Sequence, residues 1–163
     1  MTNNEIALRK ATIEWMLQQA DSYTHAVTLT LKPYRTALTK NGEVREALTK
    51  DNASANMRHF ISRLNASLFG NAAKRHGKGI TILATIEGEA TNKLLHYHCA
   101  IGNFPNTNTE KEIRNKIKAA WEQTAFGNEQ IDIQRIHTTD WLNYMGKEVG
   151  LRNADVVDWE NVR

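Results

Sequence analysis

The chain has 163 residues, of which 40% are hydrophobic and 24% charged, which is the balance of one folded globular domain. No apolar run reaches the length of a membrane span and the polar start carries no secretory signal, so we expect an intracellular, cytoplasmic protein without a membrane partner. The single cysteine, Cys99, excludes a disulfide framework and a cysteine-rich zinc site. The formal net charge of +3 makes the chain weakly basic. We expect a single domain over residues 1–163.

The first third of the chain predicts a helix, a strand and a polar connector. Apolar residues recur at helical spacing from Asn4 to Ala20. Ala26 to Leu31 alternates aliphatic residues with threonines, which is the pattern of a half-buried strand. Lys32 to Lys50 is polar and mixed in charge, with a turn at Asn41-Gly42. We therefore predict an irregular connector there.

A second helix is predicted to be capped by Asp51 or Asn52 and to end at Gly70, followed by a basic loop over Asn71–Gly79. The stretch from Asn52 to Ile86 contains no acidic residue. A cationic segment of this kind attracts the phosphates of nucleic acid, although it is equally compatible with a solvated surface. Its basic side chains, our candidates for DNA binding, are Arg58, Arg63, Lys74, Arg75 and Lys78.

Two apolar runs then predict neighbouring strands. Ile80 to Ile86 is continuously apolar apart from its threonines and is expected to lie centrally in a sheet. A connector over Glu87–Lys93 leads into Leu94 to Ile101, which carries His96 and His98. Since side chains alternate along a strand, both histidines face the same side. Two histidines of a core could also occupy such positions without binding anything.

Carboxylates in the connector lie close to this histidine pair. One carboxylate and two imidazoles form a mixed oxygen and nitrogen site suited to Mg²⁺, Mn²⁺ or another first-row divalent ion. We expect Glu87 to be the third ligand, because the strand should still be regular there, and Glu89 is the alternative. The competing interpretation is a solvated carboxylate in a hairpin.

The last third predicts a helix, a strand and a helix. Thr109–Glu112 has the sequence of a capping box, Gln130 to Ile136 alternates as a strand, and Asp140 to about Val149 is predicted to be helical. In that last helix Tyr144 and Lys147 are three residues apart and therefore neighbours. A phenol beside an ammonium group can act as a nucleophile with a charge-stabilising partner, although exposed tyrosines commonly have no such role.

Taken in order, three motifs resemble those of the HUH endonucleases, the His-hydrophobe-His nickases of single-stranded DNA. The motifs are the Thr-Leu-Thr strand before Lys32, the His96-Tyr97-His98 strand and the Tyr144-Met145-Gly146-Lys147 helix. Each is weak alone, but their order and their predicted elements match together. The chain is most similar to the nuclease domain of rolling-circle replication initiators with a single catalytic tyrosine.

The resemblance implies an α+β fold, with a central antiparallel sheet of the ferredoxin or RNA-recognition type flanked by helices. It implies that His96, His98 and Glu87 bind one Mn²⁺ or Mg²⁺ ion that polarises the scissile phosphate. Tyr144 would attack and form a 5′-phosphotyrosyl link, with Lys147 orienting it or offsetting negative charge. The partner would be single-stranded DNA at an origin or hairpin.

The chain departs from the fuller family pattern in lacking a second motif tyrosine and a phosphate-binding loop of the helicase type. The chain would then be either a nuclease domain excised from a longer protein or a compact protein that has a host helicase as a further partner. Single-tyrosine transposases of the same superfamily are the nearest alternative, and Lys147 favours replication initiation over them. A module that binds single-stranded nucleic acid without cutting it is another alternative. A two-histidine phosphoesterase is disfavoured, because the second His-x-Thr/Ser motif is absent.

Overall fold

A four-stranded antiparallel sheet organises the chain, and helices flank it on both faces. The computed structural model describes residues 1–89, 93–151 and 155–163. The strand order in the sheet is β4-β5-β1-β6, and β2 pairs with β3 in a separate hairpin. The strands are β1 (His25–Leu31), β2 (Tyr34–Thr39), β3 (Gly42–Ala47), β4 (Thr81–Glu87), β5 (His96–Gly102) and β6 (Gly127–Arg135). The predicted α+β class is confirmed.

The helices divide between the two faces of the sheet. They are α1 (Asn3–Leu17), α2 (Lys50–Phe69), α3 (Asn71–His76), α4 (Glu110–Glu122) and α5 (Asp140–Met145), with 3₁₀ turns at Ala20–Ser22 and Trp159–Asn161. Helices α2 and α4 pack on the face that carries Val27, Leu29 and Tyr97. Helices α1 and α5 cover part of the other face, around Leu83 and Ala100. Among the residues described, no helix has the length and apolar character that crossing a bilayer requires.

This division follows from strand alternation. Odd-numbered positions of β1 and β5 enter the larger core, where Tyr97 and Cys99 are completely buried. Even-numbered positions, including Thr28, His96 and His98, therefore face the other side, which α1 and α5 cover only in part. The open remainder of that face is where the chemistry-bearing side chains collect.

Several predicted boundaries are wrong. The connector over Lys32–Lys50 contains the β2–β3 hairpin, with the predicted turn between its strands. The predicted loop at Asn71–Gly79 begins with α3. Helix α2 is capped by Thr49, whose hydroxyl accepts from the Asn52 N–H at 3.2 Å, so neither Asp51 nor Asn52 is the cap. Residues 90–92 of the predicted connector lie outside the described residues.

The strand expected to be central, β4, lies at the end of the sheet instead. Its apolar character has another origin, because residues 155–163, here called the edge segment, run along its outer side. Ile82 exchanges backbone hydrogen bonds with Arg163, both at 2.9 Å, and Ile86 N–H donates to the Val156 carbonyl at 2.8 Å. The edge segment thus buries β4 as a neighbouring strand would.

Candidate active site

The register of β4 and β5 brings Glu87 to the histidine pair. Glu87 lies directly opposite His96, and Thr85 lies opposite His98, so all four side chains share one face. The Glu87 Oε2 atom is 3.8 Å from His96 Nε2 and 3.3 Å from His98 Nε2. One ligand atom from each of the three residues lies within 4.8 Å of the other two. The sequence therefore identified the residues of a cluster that could bind a divalent metal ion.

Hydrogen bonds at the far nitrogens orient both imidazoles. His96 Nδ1 donates to the Leu94 carbonyl at 3.1 Å, because a carbonyl can only accept. That bond leaves the Nε2 lone pair of neutral His96 free toward Glu87. His98 Nδ1 lies 3.1 Å from the Thr28 hydroxyl on β1. Thr28 is thus an orienting partner that sequence analysis assigned only to an ordinary strand.

The donor atoms of this cluster fit a metal ion. Glu87 is 1% exposed and His98 is 5% exposed. Within the described ranges, neither Glu87 carboxylate oxygen nor His98 Nε2 has a well-directed hydrogen bond. Buried polar atoms in proteins are nearly always satisfied, so these three, which converge with the Lys147 ammonium beside Oε2 as an ionic neighbour, favour a ligand. Two imidazole nitrogens and a carboxylate are suited to a first-row divalent ion.

Lys147 supplies a positive charge beside the same carboxylate. Its ammonium nitrogen is 2.8 Å from Glu87 Oε2. Burial alone would raise the pKa of the Glu87 carboxyl, but the contacts with His98 and Lys147 outweigh burial and lower it. Burial likewise disfavours the charged Lys147, yet Glu87 and Tyr144 raise the pKa of its ammonium. Glu87 is therefore an anion and Lys147 a cation at neutral pH.

Tyr144 reaches the cluster from α5. Its side chain is 44% exposed, and its ring centroid is 5.0 Å from that of His98. The Lys147 ammonium lies 3.5 Å from the centre of the Tyr144 ring. The predicted helix ends earlier than expected, at Met145, so Lys147 lies in the following turn and not on the helix. The predicted proximity of Tyr144 and Lys147 nevertheless holds.

The turn that carries Lys147 is fixed by α1. The Arg9 guanidinium donates to the carbonyl of Val149 at 3.0 Å and also to the carbonyl of Lys147. Gly146 permits the close approach, because a Cβ there would lie 2.4 Å from the Ile13 side chain. No motif or spacing in the sequence indicates this role of Arg9, because its partners lie far along the chain.

Trp141 is a further site residue that the sequence did not single out. Its ring stacks on Tyr144 with centroids 5.5 Å apart and planes at 21°. Its indole N–H donates to the Cys99 carbonyl at 3.0 Å, which ties α5 to β5. The spacing of three residues between Trp141 and Tyr144 was the available signal.

The candidate DNA-binding residues lie on other elements. Arg58 and Arg63 belong to α2, which packs on the face of the sheet opposite the histidine pair. Arg58 forms an ion pair with Glu160 at 2.5 Å, and Arg63 donates to Gln123 at 2.8 Å. Lys74 and Arg75 are on α3, and Lys78 is in the loop before β4. Their role in DNA binding stays a prediction.

Comparison with models of protein families, with curated proteins and with solved structures finds no match for this chain. The site is therefore described by its own geometry. An antiparallel sheet that carries the Glu87, His96 and His98 cluster is compatible with the metal site of an HUH endonuclease.

Proposed function

We propose that the protein is a single-stranded DNA nickase and strand transferase of the HUH type, with Tyr144 as nucleophile. The observation that carries the proposal is the position of Tyr144 beside His98, on the same sheet face as a buried carboxylate and two imidazoles. A set of metal ligands alone would be compatible with many different reactions. A tyrosine placed 5.0 Å from one ligand ring, with a lysine beside it, favours phosphoryl transfer to a phenol.

Glu87, His96 and His98 would hold one Mn²⁺ or Mg²⁺ ion, which supplies Lewis-acid polarisation of a phosphate. The Tyr144 oxygen would attack phosphorus, and the bond from phosphorus to the 3′ oxygen would break. The products are a 5′-phosphotyrosyl link and a free 3′-hydroxyl. The phenolic proton passes to solvent, and the departing 3′ oxygen takes a proton from solvent. A 3′-hydroxyl can attack the phosphotyrosine in the reverse reaction and rejoin strands, because each step exchanges one phosphodiester bond for another.

Lys147 would stabilise the negative charge that develops on the phenol during attack. Its ammonium is adjacent to the Tyr144 ring and is fixed by Glu87 on its other side. The turn that presents it is held by Arg9, so the charge is positioned before substrate binds. Such preorganised charge lowers the barrier without reorganisation during the reaction.

Initiation of rolling-circle replication is the use we propose, on the resemblance of the motifs and on Lys147. The substrate would be a single-stranded origin or hairpin, with a host helicase supplying unwinding. Transposition uses the same chemistry on a different DNA. The proposal of cleavage does not depend on which of these processes the protein serves.

The test is formation of a covalent adduct. The purified chain is incubated with Mn²⁺ and a pool of labelled single-stranded oligonucleotides, then separated on a denaturing protein gel. We expect a labelled, slower band that disappears with EDTA and with Tyr144→Phe, while Tyr34→Phe, a change of another exposed tyrosine, retains it. An adduct that survives Tyr144→Phe would exclude this nucleophile. Oligonucleotide binding without any adduct would favour a binding module that does not cut.

A further inference from the structure

A cleft of about 570 Å³ opens on the sheet face directly beside His98 and Tyr144. Its size lies within the range of pockets that hold small organic ligands. Strands β1 and β6 form its floor, and α5 with the preceding loop forms a wall. Its lining includes Ala26, Thr28, Gln134, Trp141 and Tyr144.

The floor of the cleft exists because small side chains occupy it. Ala26 and Thr28 are on the central strand β1, at positions that face away from the larger core. Ala26 is paired with Gln134 on β6, so the amide of Gln134 lies at the far side of this floor. The near side is His98, which pairs with Thr28.

Trp141 gives the cleft a flat aromatic wall that is already in position. Its indole N–H is held by the Cys99 carbonyl, and its ring packs on Tyr144 and, edge to face, on His98 at 5.3 Å. These contacts fix the ring orientation without ligand. Binding of a planar ligand would therefore cost the conformational entropy of the ligand, but little further entropy for ordering the Trp141 side chain.

We propose that this cleft binds one unpaired nucleobase of the substrate strand, packed against Trp141 and read at its edge by Gln134. The inference rests on the proposed function, and it names the part of the substrate next to the reacting phosphate. A base within a duplex has both faces stacked and its edge paired, so only an extruded or single-stranded base fits this arrangement.

Gln134 is suited to read a base edge. Its side chain is exposed, and its Nε2 donates to Asp132 Oδ1 at 3.1 Å, which orients the amide. An amide presents a donor and an acceptor together, and this pair discriminates between bases.

The test titrates the ¹⁵N-labelled chain, in EDTA, with each of the four deoxynucleoside 5′-monophosphates and with deoxyribose 5-phosphate. The tryptophan indole signals are followed by NMR, and Trp141→Phe assigns the signal of Trp141. We expect the Trp141 signal to move with nucleotides and not with deoxyribose 5-phosphate. Trp141→Phe should weaken binding of a random 12-nucleotide oligonucleotide about 3- to 10-fold, because the smaller ring stacks less. Trp159→Phe, the same change at an exposed tryptophan beside β4, should leave binding unchanged.

Gln134→Ala should change the order of preference among the four nucleotides while the Trp141 signal still responds. An unmoved Trp141 signal with every nucleotide overturns the base site, and so does an equal response to deoxyribose 5-phosphate. Because these titrations contain no metal and no cleavage, they separate the two proposals. A covalent adduct without a Trp141 response would contradict only the proposed base site. A Trp141 response without a covalent adduct would contradict only the proposed nickase activity.

Discussion

The ammonium of Lys147 lies 2.8 Å from Oε2 of Glu87, the same oxygen that faces both His96 and His98. One carboxylate atom therefore links the candidate metal ligands to the lysine beside the candidate nucleophile. Removal of Glu87 should affect both metal binding and the position of Lys147. Removal of Lys147 should leave the ligands in place but change the charge around them.

Metal affinity should depend on Glu87 and not on Glu89. We expect Glu87→Gln and His96→Ala each to weaken Mn²⁺ binding at least about tenfold, because each removes one of three ligands. Glu89→Gln should bind as the original chain does, since Glu89 is largely exposed and pairs with Lys50 at 2.6 Å. Isothermal titration with Mn²⁺ measures the affinities. Unchanged affinity in Glu87→Gln would remove Glu87 from the site.

Lys147 should stabilise the fold at pH 7 through the buried Glu87 carboxylate. Lys147→Met leaves that charge without its cation, and we expect a loss of roughly 1–2 kcal/mol, less than for a fully buried pair because Lys147 is partly exposed. Urea unfolding in EDTA measures this loss. The double variant Glu87→Gln with Lys147→Met should recover part of it, and Lys10→Met, at an exposed pair with Glu14, should cost nothing measurable. A loss that is the same with and without Glu87 would contradict the coupling.

His25 should make stability depend on pH. The side chain is 1% exposed, and burial lowers the pKa of its imidazole, an effect that Glu110 opposes and that Arg114 and Arg135 reinforce. The 3.0 Å contact with Glu110 does not reverse this shift, because burial dominates. The unfolded chain, with a histidine pKa of about 6.5, therefore binds a proton more readily than the folded chain.

The contribution of neutral, buried His25 to the free energy of unfolding is complete above about pH 6.5. It decreases as the pH drops below that value, because the unfolded chain takes up the proton first. Urea midpoints from pH 8 to pH 5.5 should decline less in His25→Gln than in the original chain. Comparing the two chains cancels the titration of the other histidines. Parallel curves would show that His25 titrates alike in both states.

The Tyr97 hydroxyl should contribute to stability, although it lies between the two histidines in sequence. It is completely buried and donates to Asp158 Oδ2 at 2.8 Å. Tyr97→Phe should cost about 1–3 kcal/mol in urea unfolding, because it removes a bond to a buried charged acceptor. Tyr34→Phe, at an exposed hydroxyl, is the matched control. Equal stability of both variants would contradict a structural role for this bond.

The core of the candidate site could be predicted because it depends on local periodicity. A strand places His96 and His98 on one face whatever its neighbours are, and Glu87 ends the strand that pairs with theirs. The choice of Glu87 over Glu89 also followed from strand regularity. The cluster found in the structure contains Glu87 and not Glu89.

The remaining features depend on contacts that are distant in sequence. The β2–β3 hairpin is largely exposed, so no alternation of apolar residues marked its strands. The position of β4 at the sheet edge could not be inferred, because its hydrogen-bond partners in the edge segment lie 70 to 81 residues later in the chain. Arg9 and Thr28 act through partners far along the chain, and neither motif nor spacing reveals such pairs.

The edge segment has a consequence for self-association. The outer side of β4 carries backbone donors and acceptors that would otherwise template pairing with another chain. The Asp158 N–H donates to the Ala84 carbonyl at 2.9 Å, and the Asp158 carboxylate accepts from the Tyr97 hydroxyl. Asp158 therefore pairs with the sheet edge and also anchors the edge segment to the core. Loosening that residue would expose β4 to strand addition from a second molecule, and aggregation would then compete with folding.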